Sequence, residues 1–208
     1  MRKNTEAQTR QKLDHIQKAA MQLFGERGMD GVSVSDICKA AGITKPTFYK
    51  YIDSKERIIM NYFEGAVESL ERMWDSESDP DDHLGKVIMT VSFSLVQAEK
   101  TKPELFKKYI SYCLGNSTAT EKYISGLVPR IIEQIDLAKK TGQIPLTQDS
   151  VIIFESLRNI GLGVAMRWVT DPNSFSLVHT YVEEILSFLK ADPDYRVKIN
   201  PKLEGMVN

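Results

Sequence analysis

Residues 33–55 read SVSDICKAAGITKPTFYKYIDSK, and this stretch decides the fold of the N-terminal part. It divides into two short helices around Gly42. Ser33 is followed three positions later by Asp36, a capping-box pattern, and Asp36 puts negative charge where the helix dipole favours it. Ile37, Ala40 and Ala41 give the first helix a small inward face. Gly42 ends it, because so tight a turn needs a left-handed residue. Ile43 packs inward and Thr44 caps the second helix. Pro46 falls in that helix's first turn, where a missing N–H costs nothing. Phe48 and Ile52 lie four apart and face the core. Lys45, Thr47, Tyr49, Lys50 and Tyr51 are left to point outward. This is the layout of a helix-turn-helix whose second helix enters a DNA major groove.

The outward residues suit that task. Tyrosine hydroxyls and lysine ammoniums are good phosphate partners, and such contacts set register and affinity. Pro46 and Thr47 sit at the end of the helix that approaches base edges, where they can meet thymine methyls, and Lys45 can donate to guanine acceptors. A further helix opens at Ser54 with Lys55 first, a second place to meet a phosphate. The candidate DNA contacts are therefore Ser33, Thr44, Lys45, Pro46, Thr47, Tyr49, Lys50, Tyr51 and Lys55. An ordinary helical hairpin with a solvated basic face is the competing reading. The Thr-Lys-Pro-Thr start and the aromatic-basic face weigh against it.

Charge is distributed in the same sense. The chain of 208 residues has a net charge of only −1. Residues 1–57 nevertheless hold 11 Lys/Arg against 7 Asp/Glu, and the remainder holds 16 against 21. A basic first part on an acidic remainder suggests that only the first part touches a polyanion. Two cysteines, Cys38 and Cys113, have neither metal spacing nor the pattern of a disulfide framework. Buried thiols are the expected state of both, with a reactive Cys113 as the alternative. His15, His83 and His179 are scattered without partners at ligand spacing, so no metal and no cofactor is expected. No apolar run is long enough for a membrane span and the polar start MRKNTEAQTRQK is no signal peptide. A cytoplasmic protein is the expectation.

Nearly everything else reads as helix, so the fold class expected is all-α with about nine helices. The first helix runs from about Arg10 to Arg27, with Leu13, Ile16, Ala20, Leu23 and Phe24 on one face and Gly28 as its stop. The polar arm at its start carries Arg2, Lys3, Arg10 and Lys12 and reads as a solvated terminus, with a flexible arm to the neighbouring DNA backbone or minor groove as the alternative. These elements make a three-helix DNA-binding head over residues 1–53, and residues 54–208 form a second, helical-bundle domain. A long helix from Ser54 to about Trp74 links the two. Asp79 and Pro80 would start a fifth helix carrying Leu84, Val87, Ile88, Val91 and Leu95. Pro103 starts a sixth, closed by Gly115. Thr118 and Glu121 form a capping-box pattern for a seventh, which Pro129 should kink or start, and which runs to about Gly142.

The last two helices, 149–170 and 173–190, are apolar over more than one face. On a monomer they would leave a large sticky patch. A twofold dimer covers it, with Leu157, Ile160, Gly161, Val164 and Trp168 from one helix and Val178, Tyr181, Val182, Ile185 and Leu189 from the other. The alternative is that both helices are wholly internal. The tail ADPDYRVKINPKLEGMVN reads as irregular.

The order and register of these features resemble the TetR family of bacterial transcriptional regulators. Leu23-Phe24 with Gly28, then Val34, Ile37, Ala41-Gly42-Ile43, Thr47, Tyr49, Tyr51, Lys55 and Glu56 carry the likeness, over about the first quarter of the chain. Beyond it the likeness lies in helix count, in Gly142-x-Ile144 and in the apolar final pair. Ile52 departs from the pattern, where an aromatic is more usual, and Ser35 departs where some members carry a longer, base-reaching side chain. The resemblance implies an N-terminal DNA-binding head, a ligand-binding and dimerisation domain over residues 54–208, and a repressor that releases its operator when a small molecule binds. Two heads of a dimer would read a palindromic operator. It supports Thr44, Lys45, Pro46, Thr47, Tyr49 and Lys55 as DNA contacts.

For the effector, the bundle helices would enclose a pocket. Met89, Phe93, Phe106, Tyr109, Tyr112, Phe154, Arg158 and Met166 are the candidate lining, which points to an apolar or aromatic ligand. Each of these also reads as plain core, and Arg158 also reads as a partner of Glu155 or as a dimer contact. An effector-independent architectural DNA-binding protein is the alternative function. No nucleophile–base pair, metal cluster or phosphate loop is present to suggest an enzyme. The partners expected are double-stranded DNA, a second copy of the chain and a small molecule, with no membrane.

Overall fold

The computed structural model describes residues 2–64, 79–115 and 117–207, with side chains for 8–63, 79–115 and 127–205. The described residues form ten helices and no strand. They are α1 (Arg2–Arg27), α2 (Val34–Ala40), α3 (Lys45–Tyr51), α4 (Lys55–Glu64), α5 (His83–Glu99) and α6 (Pro103–Gly115). After these come α7 (Ser117–Lys140), α8 (Ser150–Thr170), α9 (Leu177–Leu189) and α10 (Tyr195–Val207). None is long and apolar enough to cross a membrane.

Two compact units emerge. One takes in Met1–Gly65 and Glu104–Gly115, the other Ala66–Pro103 and Asn116–Asn208. The division adds α4 and α6 to the head that the sequence reading closes at residue 53. Its physical basis is an aromatic cluster: Phe63 of α4 lies 5.2 Å from Phe106 and 4.7 Å from Tyr109, both on α6. An ion pair of 3.0 Å between Lys108 of α6 and Asp30 joins the same unit.

In the first unit α1 buries Ile16, Ala20 and Phe24 against α2, α3 and α4. Their spacing of four is one stripe of a helix. Gly28 ends α1 at φ +70. The helix reaches back to Arg2, so the polar arm expected before Arg10 is part of α1. Apolar periodicity only begins at Leu13, which hides the polar first turns from a pattern reading. Of the long helix expected from Ser54 to Trp74, the part beyond Glu64, with Ala66, Leu70 and Met73, lies outside the described residues.

The second unit is built around α5, against which α7, α8, α9 and α10 all pack. That placement explains why α5 is apolar nearly all round, with Leu84, Val87, Ile88, Leu95 and Val96 buried. Its start differs from the expectation. The N-cap is Asp82, whose carboxylate accepts from the Gly85 amide at 3.0 Å, and Asp79 and Pro80 lie in the preceding turn. Asp82 is the better cap because it is also buried and paired with α10. The tail read as irregular is the helix α10. It is weakly amphipathic and contains Pro201, so periodicity does not reveal it. Ile199 and Leu203, four apart, are buried, and Tyr195 and Lys202 bond Asp82 at 2.5 and 2.8 Å. The seventh helix runs through Pro129 without ending there. The side chains of Thr118 and Glu121 lie outside the described residues. Gly142 terminates α7 in the left-handed region, with the Ile144 amide returning to the Ala138 carbonyl at 3.1 Å.

Candidate nucleic-acid interface

The two short helices are capped at their N-terminal ends by side chains and closed at their C-terminal ends by backbone bonds. The Ser33 hydroxyl accepts from the Asp36 amide at 3.2 Å, and the Asp36 carboxylate accepts from the Ser33 amide at 2.9 Å. The capping box is thus complete. The Ser33 hydroxyl donates to the same carboxylate at 2.5 Å, and these bonds hold the Asp36 carboxyl below the usual carboxylate range. At the other end of α2 the Ile43 amide returns to the Cys38 carbonyl at 2.9 Å and the Gly42 amide to that of Lys39 at 3.3 Å. This double return is a Schellman closure, and it requires the left-handed Gly42, at φ +60. Thr44 then caps α3, its hydroxyl accepting from the Thr47 amide at 3.3 Å.

Phe48 and Ile52 are buried, so the opposite face of α3 is presented outward. Lys45, Pro46, Tyr49 and Lys50 are exposed, Tyr49 by 54%, and Thr47 and Tyr51 are half-buried. Tyr49 makes an edge-on contact with Phe48, centroids 5.3 Å apart. Two ammoniums stand over the Tyr51 ring, Lys50 at 5.7 Å and Lys12 at 5.9 Å from its centroid. Cations over an aromatic face are attracted by its quadrupole. Lys12 of α1 therefore joins the basic face of α3, a placement that sequence separation conceals.

Lys55 stands apart from this face. Its half-buried ammonium donates to the carbonyls of Met29 at 2.9 Å and Val32 at 3.2 Å, in the connection between α1 and α2. Residue 30 of the same connection is the partner of Lys108. The hydrogen bond and charge of Lys108 hold the Asp30 carboxyl below its usual range. His15 bonds the Ala41 carbonyl at 3.2 Å, tying α1 to the end of α2.

The candidate effector residues belong to both units. Phe106 and Tyr109 belong to the aromatic cluster of the first unit, with the half-buried Tyr112 on the same helix. Met89 and Phe154 are buried and Phe93 is half-buried in the second unit. Arg158 pairs with Glu155 at 2.8 Å, one turn earlier on α8. Met166 is 55% exposed. Arg158 and Met166 thus lie on the outer side of α8, and Phe154 on its inner side.

The residues expected at a dimer surface pack within the chain. Leu157, Val164, Trp168, Val178, Tyr181, Val182, Ile185 and Leu189 are all buried within a single chain, Gly161 is buried and Ile160 half-buried. They pack α8 and α9 on each other and on α5. A glycine at 161 leaves room for the Tyr181 ring, whose hydroxyl donates to the Leu157 carbonyl at 3.0 Å. The apolar side chains that α8 does expose are Val151, Ile152, Leu162 and Met166. Ile152, Leu162 and Met166 recur at helical spacing on its outer face. Among the described residues no group of three His, Cys, Asp or Glu could hold a metal ion.

Comparison with known proteins agrees with this geometry. Residues 16–60, which run from the buried Ile16 of α1 into α4, match the bacterial regulatory proteins of the tetR family. The HTH-type transcriptional repressor KstR2 of Rhodococcus jostii is 26% identical over 82% of this chain and 85% of its own. The uncharacterized HTH-type transcriptional regulator YvdT of Bacillus subtilis is 26% identical over 88% and 95%. Among solved structures, Thermus thermophilus FadR, a TetR-family transcriptional repressor in complex with lauroyl-CoA, superposes with a TM-score of 0.62. It has 19% identity and covers 86% of this chain and 93% of that one. The Bacillus subtilis regulator FadR in complex with stearoyl-CoA superposes with a TM-score of 0.60 at 18% identity, over 84% and 96%. The fold is the one these regulators share.

Proposed function

We propose that this chain, a member of the tetR family of bacterial regulatory proteins, is a transcriptional repressor that binds a palindromic operator as a dimer and leaves it when a small apolar effector binds. One observation carries the reading: α2 and α3 form a helix-turn-helix closed by Gly42, with Lys45, Tyr49 and Lys50 on its open face. Pro46 and Thr47 at the start of α3 read base edges. Lys45, Lys50 and Lys12, with the hydroxyls of Tyr49 and Tyr51, hold the phosphates. The chain works as a binder of DNA and ligand, with no catalytic step.

The dimer forms through the outer face of α8. Ile152, Leu162 and Met166 would otherwise remain in water, and a twofold axis covers the same stripe on both copies. Two heads about one helical turn of DNA apart, roughly 34 Å, then read the two halves of a palindrome.

The effector acts as a population shift. It binds in the second unit among side chains of the kind of Met89, Phe93 and Phe154, and it favours a head spacing that misses successive major grooves. Within the first unit the response would run through α4 and α6, which the Phe63–Phe106–Tyr109 cluster joins to each other and the Asp30–Lys108 pair joins to the α1–α2 connection. Coupling between such sites amounts to about 1–3 kcal/mol and acts equally in both directions. Lauroyl-CoA and stearoyl-CoA, the ligands of the two solved relatives, are the first probes of the effector class.

The test is selection of bound DNA from a random duplex library at fixed salt, with wild type and Tyr49→Ala in parallel. Enrichment of a palindrome by wild type that Tyr49→Ala loses is the expected result. Equal, weak and unselective binding by both proteins would sink the reading.

A further inference from the structure

The position after the helix-turn-helix that invites a phosphate contact does something else in this fold. Lys55 is the first residue of α4, and two of its ammonium N–H groups bond the connection 28–33. That connection is unusually constrained. Gly28 sits at φ +70, and a Cβ on Gly31 would stand 2.6 Å from the Arg27 carbonyl oxygen. Met29 and Val32 bury their side chains, so their carbonyls are fixed in direction. Both carbonyls point at the Lys55 ammonium, and the next residue, Ser33, is the N-cap of α2. The direction in which α2 leaves, and with it the seat of α3, follows from how this connection is held.

We infer that Lys55 is a positioning residue for operator recognition: its ammonium locks the 29–32 connection and so orients α2 and α3, and it makes no phosphate contact of its own. Charge-assisted bonds to two carbonyls are strong for their kind, and they take two of the three ammonium N–H groups and fix the position of the third. The inference rests on the DNA-binding reading above, and it separates sharply from a phosphate contact in one measurable respect. A lysine that neutralises a phosphate releases a counterion, so its loss lowers the slope of log affinity against log salt by about one. A lysine that only positions the reading helix leaves that slope where it was.

The experiment measures binding to the selected operator and to a random duplex across a salt series, for wild type, Lys55→Met, Lys55→Gln and Lys45→Met. Amide exchange over residues 29–34 is followed in the free proteins. Lys55→Met is expected to lose about tenfold in the ratio of specific to non-specific affinity, with an unchanged salt slope and faster exchange over 29–34. Lys55→Gln, uncharged but still able to donate, should recover part of the ratio. A merely structural lysine would change stability without moving that ratio in the folded protein. Lys45→Met should lower the slope by about one. A slope reduced by about one in Lys55→Gln, with exchange over 29–34 as in wild type, overturns the assignment and makes Lys55 a phosphate contact. If wild type selects no operator, the DNA-binding reading itself fails. Exchange over 29–34 in Lys55→Met then still decides whether Lys55 holds the connection, and an unchanged rate there overturns the assignment too.

Discussion

Lys202 sets its ammonium 2.8 Å from the carboxylate of Asp82, a residue 120 positions earlier in the chain. Asp82 caps α5 with the same carboxylate and also accepts from the Tyr195 hydroxyl, while Lys198 stands 3.4 Å away. One buried side chain thereby serves as the start of the central helix of the second unit and as the anchor of its last helix.

This anchor makes a pH prediction. Burial favours the neutral carboxyl, but the hydrogen bonds from Lys202, Tyr195 and the Gly85 amide outweigh it and lower the value from 3.8 to about 2. A carboxylate with a lowered value adds stability that is complete above pH 4 and is lost as pH falls toward 2. The difference amounts to roughly 2 kcal/mol. Asp82→Asn is therefore expected to cost about that much at pH 7 and progressively less below pH 4, measured by urea unfolding at each pH. An equal loss at pH 7 and pH 3 would show that the charge is not what holds α10.

Gly42 tests the turn. Nothing lies within 4 Å of a Cβ built there, so Gly42→Ala meets only the strain of its φ of +60. That strain is about 1 kcal/mol, read as a fall of a few degrees in thermal midpoint. Operator affinity should fall with it, because the same turn sets the angle between α2 and α3. A variant as stable as wild type would mean that the turn rearranges freely.

On α8 the inner and outer faces should answer differently to substitution. Met166→Glu, on the 55% exposed side, is expected to convert the proposed dimer to a folded monomer in sedimentation velocity. Leu157→Ala, on the fully buried side, is expected to cost about 2–5 kcal/mol of stability. If Met166→Glu stays dimeric, the dimer uses another surface.

For the DNA face, Tyr49→Ala is expected to leave unfolding unchanged, because the side chain is 54% exposed. It should still weaken operator binding tenfold or more, about 1.4 kcal/mol. Lys50→Met should reduce the salt slope by about one. Fluorescence anisotropy with labelled operator at several salt concentrations reads both.

Much of the head is legible in the sequence because its signals are local. Ser33 with Asp36, Gly42, and Thr44 with Pro46 each specify a cap or a turn within a few residues, and the structure has each of them. Signals that depend on a distant neighbour are not legible. Asp79 looks as good a cap as Asp82 until α10 comes back to select Asp82. The apolar stripe of Leu157, Val164 and Trp168 is visible, but which surface covers it is not. α5 and α9 of the same chain cover it, and the smaller stripe of Ile152, Leu162 and Met166 is left outside. Lys55 and Lys12 follow the same rule. Their type suggests a phosphate, and only the fold shows one turned to carbonyls and the other brought beside Tyr51.

The grouping of Glu104–Gly115 with the N-terminal residues bears on how such a protein can be recombined. A head cut after residue 53 and fused to a foreign sensor would lose Phe63 and both of its aromatic partners on α6, along with the Lys108 that holds Asp30. Transplanting it requires two segments, with the α6 residues grafted into the recipient's own sixth helix. A lineage exchanging DNA specificity by a single crossover would meet the same obstacle. Changes of operator are then expected to accumulate as point substitutions on α3, where Lys45, Tyr49 and Lys50 are exposed.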